Sequence, residues 1–166
     1  WGGKSQVPEI ITLSEKVMTS DGFLGLASLP SSTVIIGGGV VGLEFAAFLS
    51  QLGAKVTVIE FLDRILATEE PEVSDFLARE LGKSGVDIIC PARVESVSPG
   101  RDSVAVKAVR SGEAIEINGE IAVVCTGRQP ALNIDELQGA GIAFDRKGIM
   151  IDANMMTTVK GIYAVG

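Results

Sequence analysis

Val34-Ile-Ile-Gly-Gly-Gly-Val-Val-Gly42 decides the fold of this 166-residue chain. Its first three residues are apolar and β-branched, as a buried strand requires. The glycines then fall as G-x-G-x-x-G, at Gly37, Gly39 and Gly42. From Val40 the pattern turns helical, and Gly53 is a natural stop. A second apolar run, Lys55-Val-Thr-Val-Ile-Glu60, ends in an acid eighteen residues beyond Gly42. Strand, glycine turn, helix, strand and acid in this register form the whole fingerprint of a dinucleotide site.

Each part has a physical task. Gly37 permits the sharp turn out of the strand, Gly39 leaves room for a pyrophosphate, and Gly42 lets the helix pack closely on the strand. Unpaired N–H groups and partial positive charge at the helix start bind phosphate. Glu60 suits the two hydroxyls of an adenosine ribose. It repels a 2′-phosphate, which favours NAD(H) over NADP(H). No arginine stands at 61 or 62 to reverse this, and Arg64 follows Asp63. FAD competes for the same motif. Glu44 is read as lying in the first helical turn, with dipole compensation and function as alternatives.

Working outward, strands are expected at 33–36, 55–59 and 86–90. One helix follows the glycines with an apolar face of Val41, Phe45, Phe48 and Leu52. A second begins at Pro71 with a face of Val73, Phe76, Leu77 and Leu81. Short runs at 94–97, 103–109 and 114–117, separated by Pro99-Gly100, Ser111-Gly112 and Asn118-Gly119, read as an antiparallel meander. A further parallel strand is expected at 121–125, a short helix at 134–137, and strand-like runs at 148–151 and 162–165. Residues 1–32 read as a lead-in without sustained period. Met155-Met156 reads as core packing. The fold class is therefore α/β: a Rossmann-like parallel sheet with helices on its faces and a three-stranded antiparallel β-meander crossover.

Composition narrows the function. The net charge is −7 and the pI near 4.6, with no basic stripe, which argues against nucleic acid. No segment approaches about 20 apolar residues, so no membrane span is expected. Residues 1–15 lack the apolar core of a signal peptide, and the setting is read as cytoplasmic. With no histidine, a Ser-His-Asp or Cys-His triad is impossible, and no metal site is expected. Cys90 and Cys125 are not in a C-x-x-C or C-x-x-x-x-C pair and read as reduced thiols.

These residues resemble the NAD-binding domain of the class I pyridine nucleotide–disulfide oxidoreductases, and among them the dihydrolipoamide dehydrogenases. Ile35-Ile-Gly-Gly-Gly-Val-Val-Gly-Leu-Glu44 matches the family fingerprint with its trailing glutamate. The sixteen residues Gln51-Leu-Gly-Ala-Lys-Val-Thr-Val-Ile-Glu-Phe-Leu-Asp-Arg-Ile-Leu66 are the most specific piece. Thr126-Gly-Arg-Gln-Pro130 is similar to the family's T-G-R-x-P turn, although Ala131 replaces the usual asparagine. Thr157-Thr-Val-Lys-Gly-Ile-Tyr-Ala-Val-Gly166 is similar to its second flavin motif, which continues into aspartate.

The resemblance implies a division into a lead-in from a preceding FAD domain at 1–32, an NAD(H)-binding domain at 33–130, and a tail returning to the FAD domain at 131–166. It implies a cofactor-binding set of Gly37, Gly38, Gly39, Val40, Val41, Gly42, Leu43, Glu44, Glu60, Val94 and Gly127. Val94 would line the adenine pocket, and Gly127 would approach the nicotinamide. Glu44 would lie beside the nicotinamide and pair with a lysine of the FAD domain. NAD is the cofactor implied for this chain and FAD for a larger parent. The parent would be a homodimer that oxidises the lipoyl domain of a 2-oxo acid dehydrogenase complex. No catalytic residue is expected here, the chain alone would be inactive, and Trp1 is read as a vector scar or divergent residue.

Overall fold

The computed structural model describes residues 2–165; Trp1 and Gly166, both named in the sequence reading, lie outside the described residues. In chain order the elements are β1 (Gly3–Ser5), β2 (Val17–Thr19), α1 (Ser20–Phe23), β3 (Ser32–Ile36), α2 (Val40–Gln51), β4 (Lys55–Ile59), α3 (Pro71–Lys83) and β5 (Val86–Ile89). Then come β6 (Arg93–Pro99), β7 (Val104–Arg110), β8 (Glu113–Gly119), β9 (Ile121–Val124), β10 (Arg128–Pro130), α4 (Ile134–Gly139), β11 (Phe144–Asp145) and β12 (Gly148–Ile149). The chain forms two compact units.

The larger unit, Val7–Gly127, is built on a five-stranded parallel sheet of order β2-β9-β3-β4-β5. Successive side chains of a strand point to opposite faces. Ile35, Val56, Val58 and Val123 therefore pack one way, against Leu43, Ala46 and Leu49 of α2 and Leu81 of α3. Val34, Ile36, Ile59, Ala122 and Val124 pack the other way, against Val104, Val106 and Ala108 of β7. Helices cover one face, and the antiparallel sheet β6-β7-β8 covers the other in place of a second helical layer. Burial on both sides accounts for the continuous apolar strands.

Residues 1–32 hold more structure than their irregular pattern suggests. Val17–Thr19 pairs in parallel with β9 and forms the edge of the sheet. Three residues are too few to show a period.

The apolar faces assigned to both long helices need correction. In α2, Val41, Phe48 and Leu52 are exposed, and the buried residues are Gly42, Leu43, Ala46 and Leu49. The helix is apolar all round, so spacing could not choose between faces. Gly42 chooses, because only a residue without Cβ can lie against β3 there. In α3, Val73 and Phe76 are exposed, while Ser74 and Leu81 are buried and Leu77 is half-buried. Two other expectations hold. Pro71 opens α3 at its first turn, and Ser111-Gly112 turns β7 into β8 with positive φ at both residues.

The smaller unit joins residues 2–6 to residues 128–165. The segment read as a T-G-R-x-P turn is in part a strand, because Arg128–Pro130 pairs antiparallel with Gly3–Ser5. Asn133, two places after Ala131, caps α4 by accepting from the Glu136 N–H. The run at 148–151 narrows to β12, paired with β11, and the run at 162–165 is no named strand. Met155 is exposed rather than packed.

Candidate functional site

In the sheet order, β3 is the strand from which connections diverge. The chain moves through α2, β4, α3 and β5 on one side, and β9 pairs on the other. In open α/β sheets, ligands bind at the carboxyl ends of strands at such a switch point. Residues 37–42, Glu60 and Gly127 all follow the carboxyl ends of parallel strands.

The glycine turn is fixed from three directions. The Gly37 N–H donates to the Ile59 carbonyl at 2.9 Å, and the Cys125 N–H donates to Ile36 at 2.7 Å. Gly37 has φ of 113°, and a Cβ there would run into the Cys125 carbonyl oxygen. A Cβ on Gly42 would collide with the Gly37 carbonyl oxygen and stand 3.2 Å from Ile35 Cγ2. Both glycines are therefore required by backbone approach.

Gly38 is a requirement that the G-x-G-x-x-G pattern does not contain. A Cβ there would stand 2.9 Å from Ile65 Cγ2, 3.1 Å from Glu60 Cβ and 3.2 Å from Glu60 Oε2. The signal was available as the middle glycine of the unbroken run Gly37-Gly38-Gly39. Gly39 differs from all three, since nothing lies within 4 Å of where its Cβ would be. It is exposed and is the N-cap of α2, which has no side-chain cap.

Glu60 stands just past β4 and is half-buried. Its Oε2 accepts from the Gly38 N–H at 2.5 Å, and its Oε1 from the Leu62 N–H at 2.7 Å. Its backbone is also held: Glu60 N–H donates to Ile89, and Ala92 N–H donates to the Glu60 carbonyl. Each carboxylate oxygen keeps lone-pair capacity for a further donor. Arg64 is turned to its own loop, where Nη2 donates to the carbonyls of Ala67 and Glu69.

The remaining candidates divide. Val40 and Val41 are exposed at the start of α2. Leu43 is buried in the core with its N–H bonded to the Gly39 carbonyl, so it supports the turn from behind. Glu44 is exposed but lies beyond the first turn of α2, contrary to the sequence reading, so first-turn dipole compensation does not account for it. Val94 is half-buried on β6, pairs with Ala108 and packs on the second core. Gly127 is exposed, with φ of 118°.

Three features fit a dinucleotide: the open face of Gly39, the uncapped start of α2, and a carboxylate braced at the end of β4. The helix start suits phosphate oxygens and the carboxylate suits hydroxyls. Cys125 borders the turn, and burial pushes its thiol up to about 12. Its thiol is therefore protonated at neutral pH and a poor nucleophile. Among the described residues, no helix is long and apolar enough to cross a membrane.

Residues 2–166 match the family model described as pyridine nucleotide-disulphide oxidoreductase. Dihydrolipoyl dehydrogenase of Bacillus subtilis is 35% identical over 162 residues, which cover 96% of this chain and 34% of that protein. The probable pyridine nucleotide-disulfide oxidoreductase RclA of Escherichia coli is 36% identical over 168 residues, covering 99% of this chain and 37% of that one. A solved structure of RclA, described as an HOCl-induced flavoprotein disulfide reductase, superposes with a TM-score of 0.87 at 34% identity. It covers 99% of this chain and 38% of that one. The chain thus spans about a third of the length of these relatives. Fold, motif and relatives agree: the chain belongs to the pyridine nucleotide-disulphide oxidoreductase family.

Proposed function

We propose that this chain is the NAD(H)-binding domain of a dihydrolipoyl dehydrogenase-like flavoenzyme and is catalytically silent alone. The observation that carries the reading is the Glu60 carboxylate, braced by Gly38 and Leu62 N–H groups beside an uncapped helix start. Backbone N–H groups of residues 37–42 hold the pyrophosphate, with Val40 and Val41 flanking it. Glu60 accepts the ribose hydroxyls and repels a 2′-phosphate. Val94 lies toward the adenine, and Glu44 and Gly127 toward the nicotinamide. NAD supplies a hydride acceptor, and FAD, held elsewhere in the parent, supplies the donor. The nucleotide domain, read from the sequence as 33–130, corresponds to the compact unit Val7–Gly127, which adds the edge strand 17–19 and leaves out 128–130, while 131–166 leads back to the FAD domain.

A homodimeric, cytoplasmic parent that exchanges electrons with a lipoyl domain belongs to the same reading. A second reading keeps the domain and changes the parent to another disulfide or metal-ion reductase. The likeness to RclA favours it, and the substrate of the whole enzyme separates the two.

The domain assignment is tested by calorimetric titration of the chain with NADH and NADPH. NADH binds and NADPH binds far more weakly. Glu60→Ala removes charge-assisted hydrogen bonds worth about 1.5–3 kcal/mol, so NADH weakens about ten- to a hundredfold and the preference over NADPH collapses. A folded chain that ignores NADH at millimolar concentration refutes the assignment.

A further inference from the structure

The Glu60 carboxylate sits at the end of a relay that begins on another element. Ser74, on α3 and 1% exposed, donates its hydroxyl to the Ile65 carbonyl at 2.6 Å. Ile65 is itself 1% exposed, and its Cγ2 lies against Gly38. The next residue, Leu66, is held at φ of 45°, a left-handed conformation unusual for leucine, and donates its N–H to the Gly38 carbonyl at 2.9 Å. Gly38 in turn donates to Glu60. One peptide unit after another is thus fixed from α3 to the carboxylate.

We propose that Ser74 is a positioning residue for nucleotide recognition. It sets the 65–66 backbone beneath Gly38 and thereby aims the Glu60 carboxylate at the ribose. A buried hydroxyl with a single carbonyl acceptor has one geometry, and removing it leaves the Ile65 carbonyl without that partner. The left-handed Leu66 then relaxes, and the Gly38 N–H turns from Glu60. The proposal rests on the NAD(H) reading for its ligand but not for its geometry.

The test has two readouts on the 17.3 kDa chain. The first is the Gly38 amide proton, seen by NMR without nucleotide. It is deshielded by the carboxylate and moves upfield in Glu60→Gln; Ser74→Ala moves it the same way. The second is NADH affinity in a double-mutant cycle. Ser74→Ala weakens NADH about tenfold in the parent background, the equivalent of one hydrogen bond, and less than twofold in Glu60→Gln. A purely structural role for Ser74 gives the same loss in both backgrounds and leaves the Gly38 amide in place. Either result overturns the proposal. Ser74→Cys, near in size and a weak donor, gives both changes at smaller amplitude and replaces alanine where that variant does not fold. Failure of the parent chain to bind NADH, with the Gly38 shifts as described, refutes the nucleotide assignment alone.

Discussion

Gly39→Ala and Gly42→Ala, three residues apart in one turn, are expected to fail in opposite ways. At Gly42 the new methyl meets the Gly37 carbonyl oxygen, with Ile35 Cγ2 at 3.2 Å and Cys125 Cβ at 3.3 Å. Overpacking of this kind costs about 1–3 kcal/mol or more, and backbone contacts lie at the upper end. Alanine returns up to about 1 kcal/mol of helix propensity. The net loss is about 2 kcal/mol, or about 4–8 °C in Tm for a chain of this size. At Gly39 the methyl meets nothing within 4 Å, and φ of −80° suits any residue. The weaker N-cap and the stiffer unfolded chain offset one another to within about 0.5 kcal/mol. On the proposed function, the same methyl fills the face offered to a pyrophosphate. Losing one charge-assisted N–H bond, about 1.5–3 kcal/mol, weakens NADH about ten- to a hundredfold. Thermal melts and NADH calorimetry on both variants decide it. Gly39→Ala that binds NADH like the parent chain, or that melts as low as Gly42→Ala, refutes this account of the turn.

Three further expectations test other parts of the molecule. Leu49→Ala, in the buried face of α2, costs about 2–5 kcal/mol in urea unfolding, whereas Phe48→Ala beside it changes stability by about 0.5 kcal/mol or less. Gly112→Ala places a Cβ in open space but at φ of 84°, so about 1–2 kcal/mol is lost with no change in the folded core spectrum. Burial raises the Cys125 thiol from 9.0 to about 12, so between those values the unfolded chain releases a proton that the folded chain keeps. Stability therefore falls as pH rises through that window, and Cys125→Ala flattens the slope in unfolding titrations.

What the sequence disclosed depended on whether backbone or environment set the signal. The turn at 37–42, Pro71 at the start of α3 and the Ser111-Gly112 hairpin were legible because each needs a residue type with restricted or special backbone geometry. The meander was legible from its alternation and turns. The buried face of α2 was only partly legible: Phe45 packs on the core, but Val41, Phe48 and Leu52 are exposed and look as apolar as the residues that are buried. Val17–Thr19 was hidden because its place depends on β9, far along the chain. Glu60 was legible as an acid at the right distance. Its bracing by Gly38 arises only when the turn after β3 meets the end of β4, and the contacts of Ile65 and Ser74 nearby only when α3 folds back on the loop.

The position of β9 between β2 and β3 has a consequence for the order in which the molecule can be completed. Val17 must wait for Ala122, and Thr33 for Ile121, so the first strand of the sheet is synthesised long before its neighbour. Until residue 124 has left the ribosome, β3 presents an open edge of Thr, Val and Ile. Closing it requires the ends of a long loop to meet, an entropic cost that short hairpins escape. The nascent chain therefore passes through a stage in which three of the five strands, β3-β4-β5, are local and formable while the border of β3 is exposed to chance pairing. A late-arriving strand thus sits inside the finished sheet, flanked by β2 and β3, and amide exchange in β2 reports on whether it has arrived.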